Sequence, residues 1–155
     1  MKEAKKINVL YVDDEINNLK TFKANFRNDF NVFIVESPEQ GLEVLKNNEI
    51  HTVITDQYLK GVSGVDFLQS IIETYPDPMR ILLTGYAVIE DIIDAVNKTH
   101  IYAYINKPWD KDSLKEVIEN AYAVYCRRKE QKNRLVHLQR TNEQLEFMLR
   151  EKLVS

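Results

Sequence analysis

The chain has 155 residues, of which 44% are hydrophobic and 29% charged, and its formal net charge is −3. This length suits one ordinary domain with an appendage, and a second full domain is not expected. A small negative charge gives no general attraction for nucleic acid or anionic membrane. The sequence has no apolar run of about 18 residues and no signal-peptide pattern. Its single cysteine, Cys126, excludes an internal disulfide, so we expect a cytoplasmic protein.

Strand-like and helix-like segments alternate from residue 7 onward, which is the pattern of a parallel sheet with crossover helices. Apolar runs predict strands near residues 7–12, 31–36, 51–56, 79–84 and 101–105. The segments between them carry apolar residues at helical spacing, and those rows are expected to pack on the sheet. The rows are Leu19, Phe22 and Phe26 in the first helix, Leu68, Ile71, Ile72 and Tyr75 in the third, and Ile89, Ile92, Ile93 and Val96 in the fourth. The second helix is expected to begin at a capping box, with Ser37 as N-cap, Pro38 and Gln40.

The last predicted helix is unusually long. Asp110 can cap its start, and no proline or glycine follows. In its second half, residues recur at alternating spacings of three and four, as in a coiled-coil seam. A buried amide at such a position, here Asn142, favours a parallel pair in fixed register. The alternative is a helix that folds back as an antiparallel hairpin or forms only against a partner. The seam residues are Leu135, Leu138, Asn142, Leu145 and Leu149.

Reactive side chains follow or end four of the predicted strands. In an open parallel sheet these strand ends share one edge, where ligands bind. Three acids at one edge repel one another unless protons or a cation intervene, and Mg²⁺ suits carboxylate and carbonyl oxygens. The pattern therefore predicts phosphoryl chemistry with an aspartate nucleophile, a hydroxyl and an ammonium. The residues are Asp13 and Asp14 after the first strand, Asp56 on the third, Thr84 on the fourth and Lys107 after the fifth.

Four motifs surround these residues: Tyr11-Val12-Asp13-Asp14-Glu15, Ile54-Thr55-Asp56, Leu83-Thr84-Gly85 and Asn106-Lys107-Pro108-Trp109. Over residues 7–124 the chain resembles the receiver domain of two-component response regulators. The resemblance implies an α/β, flavodoxin-like, doubly wound five-stranded parallel sheet of order 2-1-3-4-5, with an extended C-terminal helix. It implies a receiver domain, which we assign to residues 1–124. The residue pattern beyond it predicts a helical extension over residues 125–155, which we expect to form a short parallel coiled coil.

The same resemblance implies a role for each site residue. Asp56 is the expected phosphoacceptor and Thr84 and Lys107 the groups that contact the phosphoryl oxygens. The implied cofactor is Mg²⁺, with Asp14 as a direct ligand and Asp13 as an acid that holds metal-bound waters. The implied metal set is Asp13, Asp14, Asp56 and the backbone carbonyl of Tyr58. Thr84 and Tyr104 resemble the switch pair that changes the surface of the fourth helix, fifth strand and fifth helix.

The resemblance implies a sensor histidine kinase or phosphotransfer protein as partner, and the seam of the last helix predicts a second copy of the chain. Catalysis beyond the domain's own phosphorylation and dephosphorylation is not expected. The stretch 83–109 is similar to receivers attached to cyclic-dinucleotide phosphodiesterases, phosphatases or transcriptional activators. Lys60 replaces a common proline and Gly85 a common alanine, without loss of a reactive group. Tyr58 and Tyr86 flank the path of the hydrolytic water in this family, so their bulk predicts slow autodephosphorylation.

Other function classes fit less well. A phosphatase of the haloacid-dehalogenase type needs an acid two residues after the nucleophile, where this chain has Tyr58. A nucleic-acid or membrane binder would use the basic run 127–134, but that run lacks interleaved aromatics and is more typical of a solvated helix face. A scaffold that is never phosphorylated disagrees with the complete acceptor set.

Overall fold

Strands and helices alternate in the computed structural model, which describes residues 6–85 and 89–154. The strands are β1 (Asn8–Val12), β2 (Asn31–Val35), β3 (Thr52–Asp56), β4 (Met79–Thr84) and β5 (Ala103–Asn106). The helices are α1 (Ile16–Phe26), α2 (Pro38–Asn47), α3 (Gly64–Ile71), α4 (Ile89–Thr99) and α5 (Lys111–Val154). All strand pairs are parallel, in the order β2-β1-β3-β4-β5, so the expected sheet is confirmed. The fifth strand begins later than predicted, at Ala103.

The register of the sheet places the functional strand ends side by side. Val12 of β1 pairs with Thr55 of β3, so Asp13, which follows β1, lies beside Asp56, the last residue of β3. At the other side, Thr84 of β4 pairs with Asn106, the last residue of β5. Because all strands run in the same direction, the first residues after β1, β3, β4 and β5 meet at one edge.

Both faces of the sheet are covered, since alternate side chains of each strand point to opposite faces. On the face covered by α1 and α5, the cluster contains Val9, Tyr11, Ile54, Leu19, Phe22, Phe26, Leu114 and Ile118. On the face covered by α2 and α3, it contains Leu10, Val12, Val53, Leu45, Phe67, Leu68 and Ile71. The apolar row predicted for the first helix is therefore confirmed as buried.

Helix α4 packs with a face that is rotated from the predicted one, and Ile92 of the predicted row is half-buried. The side chains of Ile93 and Val96 are 54% and 48% exposed, so their expected burial is wrong. Ala95 and Thr99 are buried instead, and the Thr99 hydroxyl donates to the Ala95 carbonyl at 2.6 Å. A residue as small as alanine lets the helix approach the sheet closely, which turns the larger residues outward. The Ile89 side chain lies outside the described part of the structure.

Two predicted helix starts have the expected caps. The Ser37 hydroxyl accepts a hydrogen bond from the Gln40 N–H at 3.3 Å. The Gln40 side chain reaches back to the N–H of Glu36 at 2.9 Å, one residue earlier than in an ordinary capping box. At α5 the Asp110 carboxylate accepts from the Ser113 N–H at 3.0 Å. These bonds satisfy N–H groups that a helix start leaves without partners.

Helix α5 is continuous over 44 residues, roughly 66 Å at 1.5 Å per residue. The alternative of an antiparallel fold-back is therefore wrong. The helix keeps contact with the domain beyond residue 124, because Lys129 lies 2.8 Å from Asp77 and Lys132 is paired with the same carboxylate. The Tyr125 hydroxyl also bonds the Glu49 carboxylate at 3.2 Å. No helix among the described residues combines the length and apolarity needed to span a membrane.

Candidate functional site

Three carboxylates meet at the edge formed by the strand ends. Asp13, Asp14 and Asp56 each offer an oxygen within 4.8 Å of the others. Asp13 is fully buried, Asp56 is buried and Asp14 is half-exposed. Burial in a medium of low polarity strengthens the repulsion between these acids, so the cluster favours a bound cation.

Lys107 supplies one positive charge to this cluster. Its ammonium lies 3.1 Å from Asp56 Oδ1 and 3.3 Å from Asp13 Oδ2. The Lys107 N–H donates to the Thr84 carbonyl at 2.8 Å, which continues the β4–β5 pairing and fixes the lysine beside Thr84. Burial acts to lower the pKa of Lys107, but the charges of Asp56 and Asp13 outweigh it and hold the pKa above its ordinary value. The lysine therefore remains an ammonium shared by two carboxylates.

The environment of Asp56 disfavours an isolated negative charge. Burial raises the pKa of Asp56 above its ordinary value, Lys107 opposes that shift, and the nearby charge of Asp13 adds to it. A carboxylate in this situation gains much from additional positive charge close by.

Backbone packing fixes the loop after Asp56. A Cβ atom on Gly64 would lie 2.3 Å from the Asp56 carbonyl oxygen, so only glycine fits there. The Gly64 N–H donates to the Gln57 carbonyl at 2.8 Å, and the Thr55 hydroxyl donates to the Asp56 carbonyl at 3.0 Å. Tyr58 lies in the loop that these bonds close, with its side chain 53% exposed.

Besides Lys107, Asp13 is held by donors that the sequence analysis did not single out. Its Oδ2 accepts from the Tyr11 hydroxyl at 2.6 Å, the Asn18 amide at 3.1 Å and Lys107. Its Oδ1 accepts from the Glu15 N–H at 2.9 Å. Burial and the bond to Asp13 raise the pKa of Tyr11 far above its ordinary value, so the hydroxyl stays a donor. The signal available in the sequence was the two-residue spacing of Tyr11 and Asp13, since such residues share one face of a strand.

The predicted switch pair lies on neighbouring strands. Thr84 is buried at the end of β4, while Tyr104 on β5 is half-buried and packs on the cluster that contains Leu82 and Ala95. The Tyr104 hydroxyl donates to the Asn106 side-chain oxygen at 2.7 Å. The tyrosine ring therefore packs beside Leu82 and Ala95, while its hydroxyl is directed to Asn106 at the end of β5.

A cleft of about 430 Å³ opens beside Lys107, between α1 and the loop that leads into α5. Its walls are Asn18, Thr21, Asn25, Lys107, Pro108 and Trp109. The indole of Trp109 packs against Phe22 and Phe26, with ring centroids 6.0 and 5.5 Å away. The cleft therefore exposes one side of Lys107, and the half-exposed Asp14 gives the acid cluster its own opening to solvent.

The chemistry of the donor set fits a hard divalent cation. Oxygen ligands are what Mg²⁺ prefers, and the ion keeps several waters, so a few carboxylates open to solvent on one side suit it. Asp14 provides that open side, because it is half-exposed next to the buried Asp13 and Asp56.

Comparison with known proteins identifies this arrangement. A family model for the response regulator receiver domain matches residues 9–119. The chain belongs to the response regulator receiver family. Among its relatives, the hydrogenase transcriptional regulatory protein HoxA of Bradyrhizobium diazoefficiens is 37% identical over 122 residues, which is 79% of this chain and 25% of that protein. A response regulator of Rickettsia felis described as NtrX-like is 31% identical over 121 residues, 76% of this chain and 25% of that protein.

Solved structures of receivers agree with the fold. The signal receiver domain of an HD domain-containing protein from Pseudomonas fluorescens Pf-5 has a TM-score of 0.78 and 27% identity, over 84% of this chain and 96% of that one. A CheY-like receiver domain protein from Methanospirillum hungatei has a TM-score of 0.75 and 25% identity, over 80% of this chain and 99% of that one. The receiver described here spans 25% of the length of the curated relatives named above.

Proposed function

We propose that this receiver is a phosphoacceptor switch in which Asp56 takes a phosphoryl group from a phosphohistidine. The donor is a sensor histidine kinase or a phosphotransfer protein. The observation that carries the proposal is the sharing of the Lys107 ammonium, 3.1 Å from Asp56 and 3.3 Å from Asp13, within a cluster of three carboxylates. Positioning and charge neutralisation of this kind are the main requirements of phosphoryl transfer.

In the reaction, an Asp56 carboxylate oxygen attacks phosphorus and forms a new O–P bond. The P–N bond of the phosphoimidazole breaks, and its electron pair leaves with the imidazole nitrogen, which takes a proton from solvent. Lys107 neutralises charge on the phosphoryl oxygens, and the Thr84 hydroxyl donates a hydrogen bond to one of them. Asp56 thereby becomes an aspartyl phosphate.

Asp14, Asp56 and the carbonyl of Tyr58 would hold Mg²⁺, while Asp13 would hold its bound waters. When bound, the ion supplies positive charge to the phosphoryl oxygens. Support for this assignment comes from the half-exposed position of Asp14 beside two buried acids. The Gly64 packing also supports it, because it keeps the backbone after Asp56 in one arrangement.

Reversal by water is expected to be slow. Tyr58 follows Asp56 by two residues and its side chain is large and exposed at the site. Tyr86, the second residue expected to obstruct the water, lies outside the described residues. If the phosphoryl lifetime of Tyr58→Asn equals that of the wild type, this part of the proposal is wrong.

Phosphorylation is proposed to act on the surface of α4, β5 and α5. Thr84 turns toward the phosphoryl group and vacates space, and Tyr104 rotates inward toward α4. The exposed apolar side chains on this side of the domain, Ile93, Val96 and Tyr102, support a surface that a partner or output domain covers.

The C-terminal helix is proposed to pair with that of a second copy. The seam side chains of Leu135, Leu138, Leu145 and Leu149 are between 53% and 61% exposed, which supports a partner for them. Two lysines of the basic run, Lys129 and Lys132, are paired with Asp77, so nucleic-acid binding through that run is not part of the proposal. We place the protein in the cytoplasm.

The test of the proposed function uses beryllofluoride, a phosphoryl mimic, together with Mg²⁺. Calorimetry should detect binding to the wild type and no binding to Asp56→Asn. Asp112→Asn is the matched control, since it removes an exposed acid of α5 outside the acid cluster. Equal binding by Asp56→Asn and the wild type would refute Asp56 as the acceptor.

A further inference from the structure

The buried carboxylate of Asp13 carries more donors on one oxygen than on the other. Oδ2 accepts from Tyr11 at 2.6 Å, Asn18 at 3.1 Å and Lys107 at 3.3 Å, whereas Oδ1 accepts from the Glu15 N–H. Tyr11 is 1% exposed and Asp13 0%, so the bond between them is shielded from water. In such surroundings each hydrogen bond to a charged oxygen is stronger than in water.

Lys107 shares Asp13 Oδ2 with the two other donors, so their bonds affect how strongly Asp13 attracts it. Its ammonium lies almost equally far from Asp56 Oδ1 and Asp13 Oδ2. An ammonium between two carboxylates is drawn more strongly to the one that retains more negative charge. Donors from elsewhere that neutralise Asp13 therefore weaken its hold on Lys107.

We propose that Tyr11 and Asn18 are positioning residues for phosphoryl transfer: their bonds to Asp13 Oδ2 fix that carboxylate and free Lys107 for the phosphoryl group on Asp56. The inference rests on the proposed function of Asp56. It assigns no contact with the phosphoryl group to either residue. Both act through Asp13 and Lys107.

The fold holds the two donors rigidly. Tyr11 lies inside β1, between its strand partners Ile34 and Ile54, and its ring packs on Phe22 with centroids 4.5 Å apart. Asn18 comes from α1, and its amide also donates to the Glu15 carboxylate at 3.0 Å. One donor thus arrives from the strand and the other from the helix, so Asp13 is held from two sides.

The test compares beryllofluoride affinity at saturating Mg²⁺ in two backgrounds. Tyr11→Phe keeps the ring and removes the hydroxyl, and it should weaken beryllofluoride binding about tenfold in the wild-type background. In a Lys107→Ala background the same substitution should change the affinity less than about twofold, because the lysine it acts through is absent. A purely structural effect of Tyr11→Phe would weaken binding equally in both backgrounds and would overturn the proposal.

Asn18→Ala provides the second arm, because Asn18 is half-exposed on α1 and its loss does not threaten the core. It removes another donor from the same oxygen and should show the same dependence on Lys107, including where Tyr11→Phe fails to fold. Tyr75→Phe is the control, since Tyr75 packs in the cluster on the opposite face of the sheet. The beryllofluoride affinity of Tyr75→Phe should equal that of the wild type.

The outcomes separate the two proposals. Wild-type protein that binds no beryllofluoride, or binds it equally after Asp56→Asn, overturns the function of Asp56 and this inference together. Wild-type binding that depends on Asp56, with unchanged affinity in Tyr11→Phe and Asn18→Ala, overturns only the positioning role.

Discussion

Asp77, in the loop before β4, forms an ion pair with Lys129 of α5, in which the lysine Nζ lies 2.8 Å from Asp77 Oδ2. Lys132, nearly one turn further along the helix, is paired with the same carboxylate. One side chain of the loop thus fixes the helix at the point where it leaves the domain.

Replacing Asp77 with Asn should loosen that attachment. Both lysines lose their partner, so amide hydrogen exchange should become faster around residues 126–132 and stay unchanged in β1 and β3. The free energy of unfolding should fall by at most about 1 kcal/mol, because the pair is partly exposed and screened. Glu143→Gln, a change on the exposed half of the helix, is the control. Unchanged exchange near residue 129 in Asp77→Asn would show that the pair does not anchor the helix.

The same pair predicts a dependence of stability on pH. Hydrogen bonds from Lys129 and Lys132 lower the pKa of Asp77 below its ordinary value of 3.8. A lowered folded-state pKa adds stability above the unfolded value, and this contribution disappears as the pH falls through the folded value. Urea unfolding should therefore separate wild type from Asp77→Asn at about pH 7 and give nearly equal free energies at about pH 2. A difference that persists at the lower pH would contradict the assignment.

The site could be predicted from the sequence because parallel strands bring their ends to one edge whatever the details of packing. The proximity of Asp13, Asp56 and Lys107 could be predicted from the positions of the strands and their parallel direction alone. The hydrogen bond from Tyr11 to Asp13 depends on the side-chain conformations of both residues. The sequence already accounted for Tyr11 as a strand residue and for Asp13 as an acid of the site, so nothing in it required a bond between them. Such pairings become visible only once distances are known.

Two further features could not be predicted from the sequence, for a different reason: which side chains of α4 are buried, and which residues attach α5 to the domain. Helical spacing indicates which residues share a face, but Ile93 and Ala95 belong to competing faces of α4. Ala95 rather than Ile93 is buried because the helix lies close to the sheet, and that distance cannot be predicted from helical spacing. The pair of Asp77 and Lys129 joins residues far apart in the chain, whose proximity follows from the direction in which α5 crosses the domain.

Gly64→Ala should disturb the phosphoacceptor without touching its side chain. The new Cβ would lie 2.3 Å from the Asp56 carbonyl oxygen, so the loop must shift. We expect a loss of about 1–3 kcal/mol in the free energy of unfolding, together with weaker beryllofluoride binding. Gly85→Ala is the control, because its nearest neighbour, the Lys107 Cβ, would be 3.7 Å away. If both variants behave alike, the close approach at Gly64 is not the cause.

Tyr104→Ala should separate phosphorylation from its consequence. The substitution removes the ring that packs beside Leu82 and Ala95, but no group that contacts the acid cluster. Beryllofluoride should bind with near wild-type affinity, while the change it causes in hydrogen exchange of α4 should be lost. Tyr102→Ala, a neighbouring exposed tyrosine, should retain that change. An α4 response that survives in Tyr104→Ala would exclude the tyrosine as the switch.

The exposed half of α5 should pair with a second copy through its seam. A parallel pair places each Asn142 beside its copy, where the amides can bond one another, whereas an antiparallel pair would bury each amide against leucine. Sedimentation of the wild type with beryllofluoride and Mg²⁺ should therefore give a dimer, and Leu138→Glu combined with Leu145→Glu should give a monomer. Phe147→Glu is a demanding control, because Phe147 is 62% exposed but lies off the seam, so it should remain dimeric. Sedimentation without the mimic determines whether pairing requires phosphorylation, and a wild-type monomer under both conditions would refute the seam.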